Sequence, residues 1–221
     1  MLEFSLLDMT PYSRDVYFEI VGLYNEEVWP LQIPLLAVSL WMLITTFIRD
    51  LGRSKIVWWL MGGAWFWCGV VFQMQHYASI NWAGEAFGYL FLIQSAVIVF
   101  VAQFGQFSSK GEMTVLSWQT YQVLMVLGLV IYPLASVFEG REISQIELFG
   151  LMPTPTLIVL FALSLWISGW KRYVLVLIPL IWSVISASFA WTLGLVELYA
   201  ILASIVIWIL GVCGSCLTIK E

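Results

Sequence analysis

Residues 28–77 read VWPLQIPLLAVSLWMLITTFIRDLGRSKIVWWLMGGAWFWCGVVFQMQHY. Two apolar runs, each roughly the 20 residues that carry a helix across a bilayer core, flank a short gap holding Arg49, Arg53 and Lys55. In lipid, only a helix or a closed barrel satisfies every backbone polar group, and runs this long are helices. The rest of the chain repeats the pattern. Of its 221 residues 62% are apolar and 10% charged, where soluble domains hold about a quarter charged. No soluble surface can be built from such material. Seven candidate spans follow, at about 28–48, 56–77, 86–107, 115–137, 154–170, 173–194 and 198–219. The fifth is short and opens with Pro153 and Pro155, which suit a first helical turn.

The gaps between spans sort charge by sign. Arg49, Arg53 and Lys55, then Lys110, then Lys171 and Arg172, and finally Lys220 fall on one side; only Arg14 and Arg141 fall on the other. Lys and Arg mark the cytoplasmic face. The chain therefore reads as an all-α polytopic membrane bundle of seven transmembrane helices, N-terminus outside and C-terminus cytoplasmic. The net charge of −5 is a sum over loops and signals no nucleic-acid partner. Trp29, Trp82 and Trp191 are expected at the outer boundary and Trp58, Trp59, Trp118 and Trp170 at the inner one. Trp41, Trp65, Trp67, Trp182 and Trp208 lie deeper, and some of their N–H groups need acceptors on other helices.

Residues 1–27 form the extracytoplasmic segment and 28–221 the membrane domain. With Glu3 and no basic leader at the start, no cleavable signal is expected, and the first span is expected to act as its own insertion signal. From Thr10, with Pro11 in the first turn, the chain reads as a short interfacial amphipathic helix with a stripe of Val16, Tyr17, Ile20, Leu23 and Tyr24.

Missing residues exclude chemistries. A single histidine, His76, rules out a bis-histidine haem and a histidine-held zinc hydrolase site. No lysine lies within a span to carry a retinal Schiff base, and no charge lies deep enough for a carboxylate relay. No nucleophile–base pair or cofactor fingerprint is visible, so no catalytic, cofactor-binding or metal residue is assigned. Cys213 and Cys216 form a C-x-x-C at the cytoplasmic end of the last helix. They read as a redox or metal pair or, more simply, as small residues packing beside Gly211, Gly214 and Ser215.

The polar residues near the outer side are the candidate ligand vestibule: Glu26, Gln32, Gln73, His76, Asn81, Glu85 and Gln94. Gln94 sits about 12 Å into its span at 1.5 Å per residue, with Ser39, Trp67 or Ser186 at suitable depth to pair with it. Glu139, Glu142, Glu147 and Glu197 add carboxylates near that side; without tight ligand spacing they read as a solvated acidic surface rather than a divalent-cation site. Gly84 and Gly88 form a small-xxx-small pair for helix packing. Pro133 and Pro179 interrupt the fourth and sixth spans, as helix breakers do beside cavities in transporters.

Several short stretches carry a family resemblance. They are Tyr24-Asn25-Glu26-Glu27-Val28-Trp29-Pro30-Leu31-Gln32, Trp65-Phe66-Trp67-Cys68-Gly69 with Ile80-Asn81, Phe87-Gly88 and Gln94, Tyr132-Pro133, Phe149-Gly150 and Ile178-Pro179-Leu180-Ile181-Trp182. Together, from about residue 20 to 205, the chain resembles an uncharacterised family of bacterial multi-pass membrane proteins. The resemblance implies membrane residence and no chemistry; the expected location is the bacterial cytoplasmic (inner) membrane. The family tends to show Asn-Pro at Asn81-Trp82, Gly-His at Gly140-Arg141 and Pro-Cys-Pro across Met152 to Pro155. Any metal or redox role of that histidine and cysteine is absent here.

The expected function is a small-solute or ion transporter or channel-like protein, with an outward-facing polar vestibule leading toward Gln94. Spans one to three and five to seven run in the same directions, as in small transporters of two parallel three-helix repeats. The alternative is a non-catalytic accessory subunit or sensor that packs on a membrane partner or a second copy. The partners implied are the lipid bilayer and a small solute or ion.

Overall fold

The protein is described from a computed structural model covering residues 11–48, 50–105, 107–108 and 112–217. Thr10, Arg49, Lys110, Lys220 and the side chain of Cys216 lie outside the described residues. The chain is 82% helical, with no strand among the described residues.

Ser13 caps the first helix, its Oγ accepting from the Val16 N–H. Helix α1 (Arg14–Glu27) then turns by 97° into α2 (Gln32–Ile48). Helix α3 (Lys55–Trp67) continues as a π-helix over Cys68–His76 and a 3₁₀ turn at Tyr77–Ser79. Helix α4 spans Gly84–Phe104. Helix α5 (Val115–Val126) passes through a π segment at Leu127–Ile131 into α6 (Tyr132–Phe138). Helices α7 (Pro153–Ser164), α8 (Trp170–Leu193) and α9 (Glu197–Leu217) complete the fold. Five of these rods, Lys55–Ser79, Gly84–Phe104, Val115–Phe138, Trp170–Leu193 and Glu197–Ser215, are long and apolar enough to cross a membrane. The bent α1–α2 pair makes a sixth if it counts as one span.

Helix α7 is the centre. Each of its residues is buried, and burial is unbroken from 149 to 167. A helix apolar on all sides belongs inside a bundle; α3, α5, α8 and α9 all pack on this one. The continuous helix expected over 154–170 stops at Ser164. The chain runs on non-helically through 165–168, and the buried Arg172 guanidinium satisfies the freed carbonyls, donating to Ile167 O (2.7 Å) and Leu165 O (3.3 Å). Aromatic contacts fill the surrounding core: Trp65 lies 4.5 Å from Phe91, and Phe91 5.0 Å from Trp182, centroid to centroid. The outer faces are apolar as well. Leu36, Leu40 and Ile44 on α2, Phe100 and Phe104 on α4, Leu177 and Ile181 on α8, and Leu202 and Val206 on α9 are exposed.

Two expectations shift. Trp58, expected at the inner boundary, is fully buried, because its Nε1–H donates to Gly52 O at 2.7 Å. Helix α1 does not present the expected stripe: it buries Val21, Tyr24 and Asn25 and leaves Val16 and Leu23 exposed. Polar pairing sets that rotation, since Tyr17, Tyr24 and Asn25 all bond to the segment between α6 and α7.

Helices α3 and α4 meet at glycine. A Cβ on Gly88 would stand 2.8 Å from Gly69 O, and one on Gly84 2.6 Å from the Ala78 backbone. Where α4 meets α8, a missing backbone bond is replaced by a side chain. Pro179 lacks the N–H that Leu175 O, four residues earlier, would accept. Gln94 Nε2 donates to Leu175 O instead, at 2.8 Å. In a dry interior an orphaned carbonyl costs about 1–3 kcal/mol. Gln94→Leu should lose that amount in thermal unfolding of detergent-purified protein. It should lose clearly less in a Pro179→Ala background, where the alanine N–H returns to Leu175 O; equal losses would contradict this role.

Candidate functional site

Two glycine turns build the site. At the end of α6, Gly140 takes φ +82°, its N–H donates to Val137 O and the next N–H, of Arg141, donates to Ser136 O. At the end of α8, Gly194 takes φ +66°, with Gly194 N–H on Trp191 O and Leu195 N–H on Ala190 O. Both are Schellman closures, which need a left-handed residue that glycine supplies without strain. The first turns Arg141 inward and the second delivers Glu197 to the start of α9.

The Arg141 guanidinium, 1% exposed, gathers three carboxylates. It donates to Glu147 Oε1 at 2.9 Å, Glu197 Oε1 at 2.6 Å and Glu139 Oε2 at 2.9 Å. Its far face covers the Phe18 ring of α1, 4.1 Å from the centroid. Arg14, also on α1, pairs with Glu139 at 2.9 Å. Glu147 accepts further from Tyr132 (2.8 Å) and Tyr17 (3.1 Å) hydroxyls. Glu139 also accepts the Val196 N–H at 3.2 Å. One hydrogen-bonded cluster thus joins α1, α6, the 139–152 segment and α9.

Burial pushes the Glu147 carboxyl up, but the adjacent Arg141 charge and the bonds to it win, and it ionises below the usual carboxylate range. The same Glu147 charge helps burial to raise the Tyr17 hydroxyl well above its ordinary value, so Tyr17 remains a neutral donor.

Beneath α1 lies a cavity of about 30 Å³, room for a water or two. Tyr12 and Tyr17 roof it; Gln73, Tyr77, Thr154, Ser186 and Glu197 supply its other polar lining. Tyr12 and Tyr77 share a short hydroxyl–hydroxyl bond, and Asn81 Nδ2 donates to Tyr77 OH at 3.1 Å. Burial lifts the Tyr12 hydroxyl to about 12, so it too stays protonated. Gln73 comes from the π-helical stretch, a form found often at functional sites. It is fully buried, and neither amide atom has a hydrogen-bond partner.

The seven vestibule residues expected from sequence do not converge. Gln73 lines the cavity and Asn81 sits one hydrogen bond behind it. His76 pairs outward with Glu27 at 3.0 Å, and Glu85 is exposed. Glu26 and Gln32 line a separate lateral groove of about 490 Å³, beside Pro133 and Val137. Gln94 is in the core on Leu175 O, not on Ser39, Trp67 or Ser186. The carboxylates read as a solvated acidic surface include Glu147 and Glu197, which are buried; Arg141 draws them in. Cys68 is buried near Gly150 O and Thr156, and Cys213 is exposed. Among the described residues no group of three or more His, Cys, Asp or Glu is arranged to hold a metal ion.

A family model described as a family of unknown function (DUF6064) matches residues 14–220, so the chain belongs to that family. No curated protein and no solved structure matches it.

The Glu147 carboxyl gives a pH test. A group whose folded pKa is depressed adds stability above its ordinary value, here 4.5, and loses it as pH falls through the folded value. At neutral pH, Glu147→Gln should lower stability by roughly 3–5 kcal/mol, the cost of breaking a buried pair. The gap between the two proteins should close as pH drops below that ordinary value. A gap constant with pH would show that Glu147 is not held ionised.

Proposed function

We propose that this member of a family of unknown function is a seven-span membrane protein with its N-terminus outside, acting as a small-solute or ion transporter or channel-like protein. In this reading it sits in a bacterial cytoplasmic membrane and admits its ligand from the outer side to the cavity under α1. The apolar outer faces support residence in lipid, since no soluble monomer tolerates so much exposed apolar surface. Charge supports the orientation: Arg53, Lys55, Lys171 and Arg172 sit at one end and the carboxylates around Arg141 at the other. The seventh crossing is the buried stretch around α7. Its 12 helical residues reach about 18 Å, short of a hydrocarbon core about 30 Å thick. The non-helical residues on either side make up the length, which lipid permits where the backbone is enclosed by protein.

The observation that carries the functional reading is Gln73. A fully buried amide with no partner is costly in any fold, and this one lines a cavity beside a carboxylate. A bound ligand would offset that cost. Helix α1 is held over the cavity by the contacts of Arg14, Tyr17 and Phe18, and in this reading it is the lid in its closed position.

Cysteine labelling tests this. In a background lacking the native cysteines, Ser186→Cys should react with a membrane-impermeant thiol reagent added from outside. A Cβ on Gly22 would lie 3.7 Å from Ser144 Oγ, so a disulfide between Gly22→Cys and Ser144→Cys should pin α1 shut and slow that reaction sharply. Labelling that is absent, or unchanged by the lock, would instead favour a closed-core accessory subunit.

A further inference from the structure

We propose that the cavity under α1 is a binding site for one small monovalent cation, held between the Glu197 carboxylate and the Gln73 amide oxygen. The proposal rests on reading the cavity as a ligand site and names the ligand.

Charge is the first ground. The cluster sets two guanidinium groups, Arg14 and Arg141, against the carboxylates of Glu139, Glu147 and Glu197. The formal count leaves one negative charge in a buried place, to be neutralised by a proton or by a cation, because an uncompensated charge there is expensive. Its location is evident from the bonding. Glu139 has both arginines and a backbone N–H, and Glu147 has Arg141 and two tyrosine hydroxyls. Glu197 takes Arg141 and shares a hydrogen bond with Glu147, and of the three it is the one on the cavity wall.

Gln73 is the second, independent ground. Its Oε1 and Nε2 have no partner in the protein although the side chain is fully buried. A cation accepts the oxygen as a ligand, and a water on that cation takes the N–H. Hydroxyls of Thr154, Ser186 and Tyr77 stand on the same wall, the neutral oxygens that a hard cation prefers. A proton shared between carboxylates would use neither the space nor Gln73.

Size and charge settle the class. About 30 Å³ admits an ion with a water and excludes sugars and amino acids. One carboxylate on the wall, with no second acidic or imidazole side chain among the described lining residues, suits a monovalent ion rather than a divalent one.

The test is thermal unfolding of the detergent-purified full chain at constant ionic strength, with sodium, potassium or lithium chloride replacing choline chloride. One alkali ion should raise Tm saturably by about 3–5 °C, as a ligand of the folded state does. Gln73→Leu should abolish that response while unfolding in choline at or above the wild-type temperature, because it removes an unpartnered amide. Glu197→Gln should abolish it as well. A Tm that ignores every alkali ion, or a response retained in Gln73→Leu, overturns the proposal. A Tm that follows pH alone overturns it in favour of a proton. If sodium, potassium and lithium all fail while the lid still controls labelling at Ser186→Cys, the cation falls and the outward-facing site stands.

Discussion

A guanidinium held almost out of water, with three carboxylates around it, is the constraint on which the α1 end of this protein depends. An isolated charge in such a place costs several kcal/mol, and removing one partner of a buried pair costs roughly 3–5 kcal/mol. Arg141 therefore dictates where its neighbours go. It holds Glu139 at the end of α6, Glu147 on the segment that enters the core and Glu197 at the start of α9. Phe18 and Arg14 then seat α1 on top. The cavity exists because these elements meet there, and α1 lies over it because α1 belongs to the same cluster.

The interior obeys a second rule: each backbone group freed by an irregularity tends to find a side chain. Pro179 frees Leu175 O and Gln94 takes it. The end of α7 frees carbonyls at Leu165 and Ile167, and Arg172 takes them. Trp208 donates to Ser164 Oγ, and Thr156 accepts the Gly150 N–H. Among the described buried side chains left with an unpartnered polar atom, Gln73 stands apart because both of its amide atoms lack a partner.

Composition and charge order make the helical class legible, because they are set by the solvent each residue must face. The short α7 was foreshadowed by Pro153 and Pro155, yet its enclosure was not, since a helix apolar all round reads the same facing lipid or protein. The site was half visible. Arg14 and Arg141 are the two basic residues that break the charge ladder, and both prove to be paired with Glu139. That exception was the available signal. What sequence could not supply was distance: Arg141 and Glu197 are 56 residues apart, and only the turns at Gly140 and Gly194 bring them together. The vestibule grouping failed for the same reason. Depth along a span is readable, but the face a residue presents, and hence Gln94 to α8 and Gln73 to the cavity, depends on how helices pack and on a π-helical stretch with no sequence signature.

Hydrogen exchange along α1, compared between the wild-type protein and Arg141→Gln in detergent, tests the central claim most directly. Residues 14–27 should be protected in the wild type and lose protection in the variant, while α3, α4 and α7 exchange as before. Unchanged protection of α1 would mean that the Arg141 cluster does not hold α1 in place.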